Sequence, residues 1–229
     1  MSVKKFLENP FVITVFASIL VFFQVKPAIF LLRLGVFSYS SDSFQLALAL
    51  SAFLILFIIP FYIIKFAYKK KLSDFGLVIP TNLKQTVKLT TVSLIIFLPI
   101  MFILSKQSSF QDYYSVDKNV TNFIILSLIS GIYYFSEEFI FRGLLFFGLW
   151  EKFKFHSFWV VNLIFMLFHV GKPIPEIILA FFLGLNLTYL SYRTRSFIPA
   201  VIVHFTLALI LNIIVTFIYP PQNVGIFHF

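Results

Sequence analysis

Residues 121–150 read TNFIILSLISGIYYFSEEFIFRGLLFFGLW, and the rest of the chain is best read outward from them. The stretch is apolar and longer than the about 20 residues that a helix needs to cross a bilayer. Yet it holds two adjacent carboxylates and a guanidinium, Glu137, Glu138 and Arg142, within the octet SEEFIFRG at 136–143. One isolated charge at membrane depth costs about 2.5 to 3.5 kcal/mol even on lenient insertion scales. Three together need a partner, a water-filled cavity or a chemical use, so function is expected here.

The rest of the chain fits the same solvent. Its 229 residues are 60% hydrophobic and 12% charged, with a mean hydropathy of +0.97, which excludes an ordinary soluble domain. Apolar runs of helical length predict an all-α fold: one integral membrane domain over 1–229, a polytopic bundle of about seven helices in the lipid bilayer. The net charge of +9 sits in short loops beside apolar runs and forms no basic module, so nucleic acid is not an expected partner. The absence of cysteine excludes disulfides, thiol catalysis and thiolate metal sites.

Lys4 and Lys5 precede Asn9-Pro10, a cap and first-turn pair, and a first span is expected over 11–32, bent near its far end by Lys26-Pro27. No small-residue cleavage site follows it, so no removable signal peptide is expected. A polar loop at 38–43 leads to a second span over 44–64. The connection 65–88 holds six lysines, and positive-inside bias assigns it, with the amino terminus, to the cytoplasm. A third span over 85–104 and a polar outer loop over 106–119 precede the fourth helix at 121–150. A short fifth helix at 157–170 ends in Gly171-Lys172-Pro173-Ile174-Pro175, a helix-breaking turn. The sixth runs over 176–192 with Glu176 in its first turn, and the seventh over 197–219, stopped by Pro220-Pro221.

Apart from Lys26 and helix ends, the ionisable residues inside these helices are Glu137, Glu138, Arg142, His169 and His204. At about 1.5 Å per residue, Glu137 lies roughly 20 Å from the 150 end of its helix and His169 roughly 18 Å from the start of the fifth, so their depths agree. His204 is about 10 Å into the seventh helix, and Asn162, seven residues before His169 on the same face, reaches a similar depth. Glu138 and Arg142 stand four apart on one helix face and predict a self-neutralising pair. Glu137 points about 100° away without an internal counter-ion, which suits a general base acting on water. A purely structural polar network is the plainer alternative. A proton or ion pathway is a third, disfavoured because no discontinuous helix pair or inverted repeat is evident. His156 at a turn and His228 in the tail read as ordinary polar positions.

Over roughly 123–211 these motifs resemble the CPBP family of intramembrane proteases, which contains the type II CAAX prenyl endopeptidases and bacterial Abi proteins linked to bacteriocin processing and self-immunity. Its EExxxR motif appears as Glu137 to Arg142 and its FxxxH motif as Phe165 to His169. The stretch AFFLGLNLTYLSYRTRSFIPAVIVHF, ending just past His204, resembles its last two helices. The resemblance implies a catalytic core at about 121–219 in a multi-pass protein of the bacterial cytoplasmic membrane, hydrolysing a peptide or protein substrate at the membrane. In that reading Glu137, helped by His169, activates water, with Glu138, Arg142 and Phe165 in support. The family's last motif is HxxxN, whose histidine and asparagine stabilise the oxyanion, but here the fourth residue after His204 is Ala208. A donor worth about 3 to 4 kcal/mol is thereby missing. Asn212 lies about 12 Å along the axis from His204, too far, and Asn162 is the better replacement by depth. The family was first described as metal-dependent, and Glu137, His169 and His204 are chemically adequate zinc ligands. Without an HExxH spacing, a metal-free site with no cofactor is the expectation and zinc the alternative. A catalytically idle immunity or scaffold protein binding a membrane partner is the rival to a protease, and the sequence leaves the oligomeric state open.

Overall fold

A computed structural model describes residues 9–36, 42–114 and 119–220. Lys4, Lys5, most of the expected loop at 38–43, Asp117, Lys118 and the tail with His228 lie outside the described residues. Within them the chain is helical, and six helices are long and apolar enough to cross a bilayer: α1 (Pro10–Arg33), α2 (Ser43–Ala67), α3 (Leu83–Leu104), α5 (Val120–Phe153), α7 (Ile174–Thr194) and α8 (Ile198–Ile218). Two shorter helices, α4 (Ser108–Tyr114) and α6 (His156–Phe168), complete the set. The chain is thus an integral multi-pass membrane protein.

Local chemistry sets the ends. Asn9 Oδ1 accepts from Phe11 N at 2.9 Å with Pro10 in the first turn, so α1 starts where the sequence expects. Its helical winding breaks after Phe23 and resumes at Lys26-Pro27, because proline lacks an N–H and fits only a first turn. Asn82 and Asn119 cap α3 and α5 in the same way as Asn9.

One expectation is corrected. The segment 106–119, expected as a polar loop, contains α4, whose Phe110 and Tyr114 stand four apart and bury one face of that helix. Flanking charges masked this short amphipathic turn. The fifth of the seven expected helices is α6, and at about 1.5 Å per residue its 13 residues extend roughly 20 Å, short of a hydrocarbon core of about 30 Å. Among the described residues the expected bundle of about seven helices thus has six long enough to span and the short α6.

The centre of the bundle is α5. All residues from 136 to 147 are buried, because α1, α2, α6, α7 and α8 pack around it, whereas α3 packs mainly on α7 and α8 and leaves most of its surface outward. Over Phe139–Phe147 the helix widens to π winding, as α2 does over Phe53–Ile58, and the Phe57 and Phe139 rings meet there edge to face at 4.8 Å. The basic connection is tied down too. Gly76, at φ +77°, turns the chain so that its carbonyl accepts from Phe197 N at 3.2 Å, and Ser196 Oγ donates to Val78 O at 2.6 Å. Those bonds anchor the start of α8, two turns before His204.

Candidate active site

Glu138 and Arg142, four apart on α5, lie 3.2 Å from each other with both side chains fully buried. Arg142 also donates to Gly184 O at 3.2 Å, and its guanidinium stands 4.2 Å above the Phe165 ring. Gly184 permits this approach: a Cβ there would collide with Asn162 Oδ1 and lie 3.3 Å from Arg142 Nη2. Asn162 is committed within the same layer. Its amide donates to Phe158 O at 2.6 Å and to Thr188 Oγ1 at 3.3 Å, and Thr188 bonds back to Gly184 O at 2.9 Å. Asn162 thus joins α6 to α7 and is absent from the lining of the nearby cavity, so it does not stand where the expected oxyanion donor would have to stand.

His204 reaches from α8 to the other partner of that pair, with Nδ1 2.7 Å from Glu138 Oε1. An ionised carboxylate only accepts, so Nδ1 carries the proton of this bond. His169, at the end of α6, places Nδ1 2.8 Å from Phe165 O, and a carbonyl likewise fixes the proton on Nδ1. Both rings therefore keep Nε2 free of these bonds. Phe165 separates the two sets: its ring is 4.6 Å from the His169 ring, 5.8 Å from His204 and 5.0 Å from Phe141.

The histidines line one cavity of about 460 Å³, counting its opening, together with Tyr134, Lys172, Glu176 and Ala208. At its α4 end, Lys172 Nζ is 3.1 Å from Glu176 Oε1 and 3.2 Å from the Tyr114 hydroxyl, which itself donates to Glu176. Burial works against the Lys172 charge, but Glu176 outweighs it and holds the ammonium above its ordinary value. Burial, then Glu176, pushes the Tyr114 phenol up, so it stays protonated as the donor in this cluster.

The expected convergence of Glu137, His169 and His204 is not what the structure has. Glu137 is buried, but it does not line the cavity, and its Oε1 has no hydrogen-bond partner among the described residues. It is Glu138 that meets His204. Neighbouring residues on a helix point about 100° apart, so the hydrogen bond from His204 goes to Glu138 while Glu137 points elsewhere. Both histidines keep Nε2, the nitrogen a metal would take, free of these bonds, but among the described residues no three His, Cys, Asp or Glu side chains gather closely enough to hold a metal ion. The donors as arranged do not form the three-ligand zinc site considered from the sequence.

Tyr134, Lys172, Glu176 and Tyr114 escaped the sequence reading. Tyr134 stands four before Glu138, on the same face, and that spacing could have found it. Lys172 and Glu176 also stand four apart, across a turn read only as a helix breaker. Tyr114 carried no signal.

With this geometry in place, the chain can be set beside known proteins. Residues 117–210 match the Rce1-like family, described as type II CAAX prenyl endopeptidase Rce1-like. The Rce1-like segment runs from just before α5 well into α8, contains His169, His204 and the EExxxR motif, and so falls on the same residues that carry the resemblance to the CPBP family. No curated protein and no solved structure matches the chain. Protease function of the CAAX type is what the family suggests for the Rce1-like segment.

Proposed function

We propose that this protein is an intramembrane endopeptidase that hydrolyses a peptide bond of a membrane-associated substrate with water activated by Glu137 and His169. What carries the reading is the pairing of two imidazoles, each held at Nδ1 and free at Nε2, in one cavity inside a bundle whose core segment matches a protease family. Water adds its oxygen to the carbonyl carbon while its proton passes to Glu137, and His169 Nε2 accepts the other hydrogen of the water as a hydrogen bond. The carbonyl oxygen becomes an oxyanion, which His204 stabilises through Nε2–H when its ring carries a second proton, with the Nδ1–H held by Glu138. The oxyanion then collapses, the C–N bond breaks, and the amine leaves with the proton held by Glu137. Glu137 has to turn from its buried position toward the cavity for this sequence. The buried cavity, its depth in the bundle and the family's prenyl substrates favour a prenylated carboxyl-terminal peptide reached from the lipid. The basic connection at 65–88 favours a cytoplasmic amino terminus and a site facing that side, in a bacterial cytoplasmic membrane.

The test uses the full chain in lipid nanodiscs with quenched fluorescent peptides, one prenylated and ending in a CAAX sequence, one identical but unprenylated. Cleavage by the wild type, abolished in Glu137→Gln and in His169→Ala, is the expected result. Equal turnover by Glu137→Gln would overturn the mechanism. A second reading, an idle scaffold that binds a membrane partner through the same bundle, is favoured by the apolar Ala208 in the cavity wall and by Glu137 lying outside it. No cleavage of either peptide by the wild type would decide for it.

A further inference from the structure

Resting on the hydrolytic reading above, the geometry points to Tyr134 as the oxyanion donor that complements His204. An amide carbonyl under attack gains charge on its oxygen, and in a buried site that charge needs hydrogen-bond donors aimed at it beforehand. The polar groups lining the cavity can be taken in turn. Tyr114 gives its proton to Glu176, and Lys172 gives two of its three N–H bonds to Glu176 and Tyr114, which hold its ammonium at the α4 end of the cavity. His169 gives its Nδ1 proton to Phe165 O, which leaves its Nε2 as an acceptor suited to water. His204 gives its Nδ1 proton to Glu138, so its Nε2 donates only when the ring carries a second proton. Tyr134 remains, a hydroxyl with no hydrogen bond to any other described residue.

Its placement fits the role. Tyr134 stands one turn before Glu138 on α5, on the face where Glu138 meets His204, and its ring packs on the His204 ring with centroids 4.6 Å apart. One turn past His204, Ala208 lines the same cavity with only a methyl group, so α8 itself offers no donor there. The tyrosine comes from the facing helix and lines the space that Ala208 leaves open. The step breaks no bond in Tyr134: its O–H donates a hydrogen bond to the oxyanion and keeps its proton as the intermediate forms and collapses.

The experiment is Tyr134→Phe in the nanodisc assay, which removes the hydroxyl and keeps the ring on His204. A fall in kcat of about a hundredfold is expected, the size found when one oxyanion donor is removed, with KM within about twofold of wild type. A peptidyl phosphonate, which imitates the anionic tetrahedral intermediate, should lose affinity for Tyr134→Phe by a similar factor, whereas a non-hydrolysable ground-state peptide should not. Adding Ala208→Asn to Tyr134→Phe should recover at least about tenfold in kcat, because an amide one turn past His204 supplies a donor from the other wall. Tyr134→Phe with wild-type kcat, or with lowered kcat and unchanged phosphonate affinity, overturns the assignment. If that happens while Glu137→Gln is inactive, the hydrolytic reading stands and Tyr134 falls. Full activity in Glu137→Gln brings down the reading itself.

Discussion

On one side of Phe165, Arg142, Glu138, Asn162, Thr188 and Gly184 O hold one another at hydrogen-bond distance, leaving Glu138 Oε2 and Arg142 Nε without a partner among the described residues. On the other side, His169, His204, Tyr134, Lys172 and Glu176 line a cavity, where Glu176 Oε2 has no partner among the described residues and both imidazoles bond only through Nδ1. The same bundle thus buries polar groups in two ways. A closed network fixes α5, α6 and α7 against one another, and because removing one partner leaves a buried charge alone, its value lies in position more than in net stability. The open set can afford loose ends because a substrate and water complete it. Glu138 belongs to both, with Arg142 on one side and His204 on the other sharing its Oε1.

The largest effect that would sharpen this contrast is on turnover. Glu137→Gln and His169→Ala should each lower kcat by about a thousandfold or more while the melting temperature in detergent changes little, in line with the loss of a general base. A large drop in melting temperature for Glu137→Gln would move that residue to the closed side. Next in size is Arg142→Ala, which should destabilise the protein by about 3 to 5 kcal/mol in a denaturant titration, because Glu138 keeps a buried charge with only His204 beside it. Combining it with Glu138→Gln should recover part of that stability without recovering cleavage; a double variant no more stable than the single one would break the pairing argument. Gly184→Ala should cost about 1 to 3 kcal/mol by forcing Asn162 and Arg142 apart, again read by denaturation. Smallest is Asn162→Ala, expected to cost about 1 kcal/mol of stability and to leave kcat within about threefold. A hundredfold loss of kcat there would return Asn162 to the oxyanion role expected from its depth.

How much of this was legible depends on the kind of information each residue carried. Caps and breakers act within one turn of chain, so Asn9-Pro10, Lys26-Pro27 and the 171–175 turn marked real boundaries. The Glu138–Arg142 pair was equally local, being set by helix spacing. Depth counted along helices brought His169 and His204 to one region, since rise per residue is nearly constant. It failed for Asn162, because rise says nothing about which way a side chain faces once helices pack, and Asn162 faces Thr188 on α7. For Glu137 likewise, depth left open which way the side chain points, and His204 bonds its neighbour Glu138. Lys172, Glu176 and Tyr114 come from a turn, the first turn of α7 and the short helix α4, and their significance arises only when these three elements meet.

The sequence by itself determined that the chain must live in a bilayer, that its charges at 137–142 had to be enclosed, and that helices of given lengths would carry them. Those follow from transfer free energies and from spacing along a single helix, which neighbours cannot alter. Only the tertiary structure decided which glutamate His204 meets, that Asn162 serves packing, and that Tyr134 stands over His204 opposite Ala208. These are rotational relations between helices, set by how bulky rings such as Phe139 and Phe165 interlock, and rotation about a helix axis leaves no trace in the order of residues.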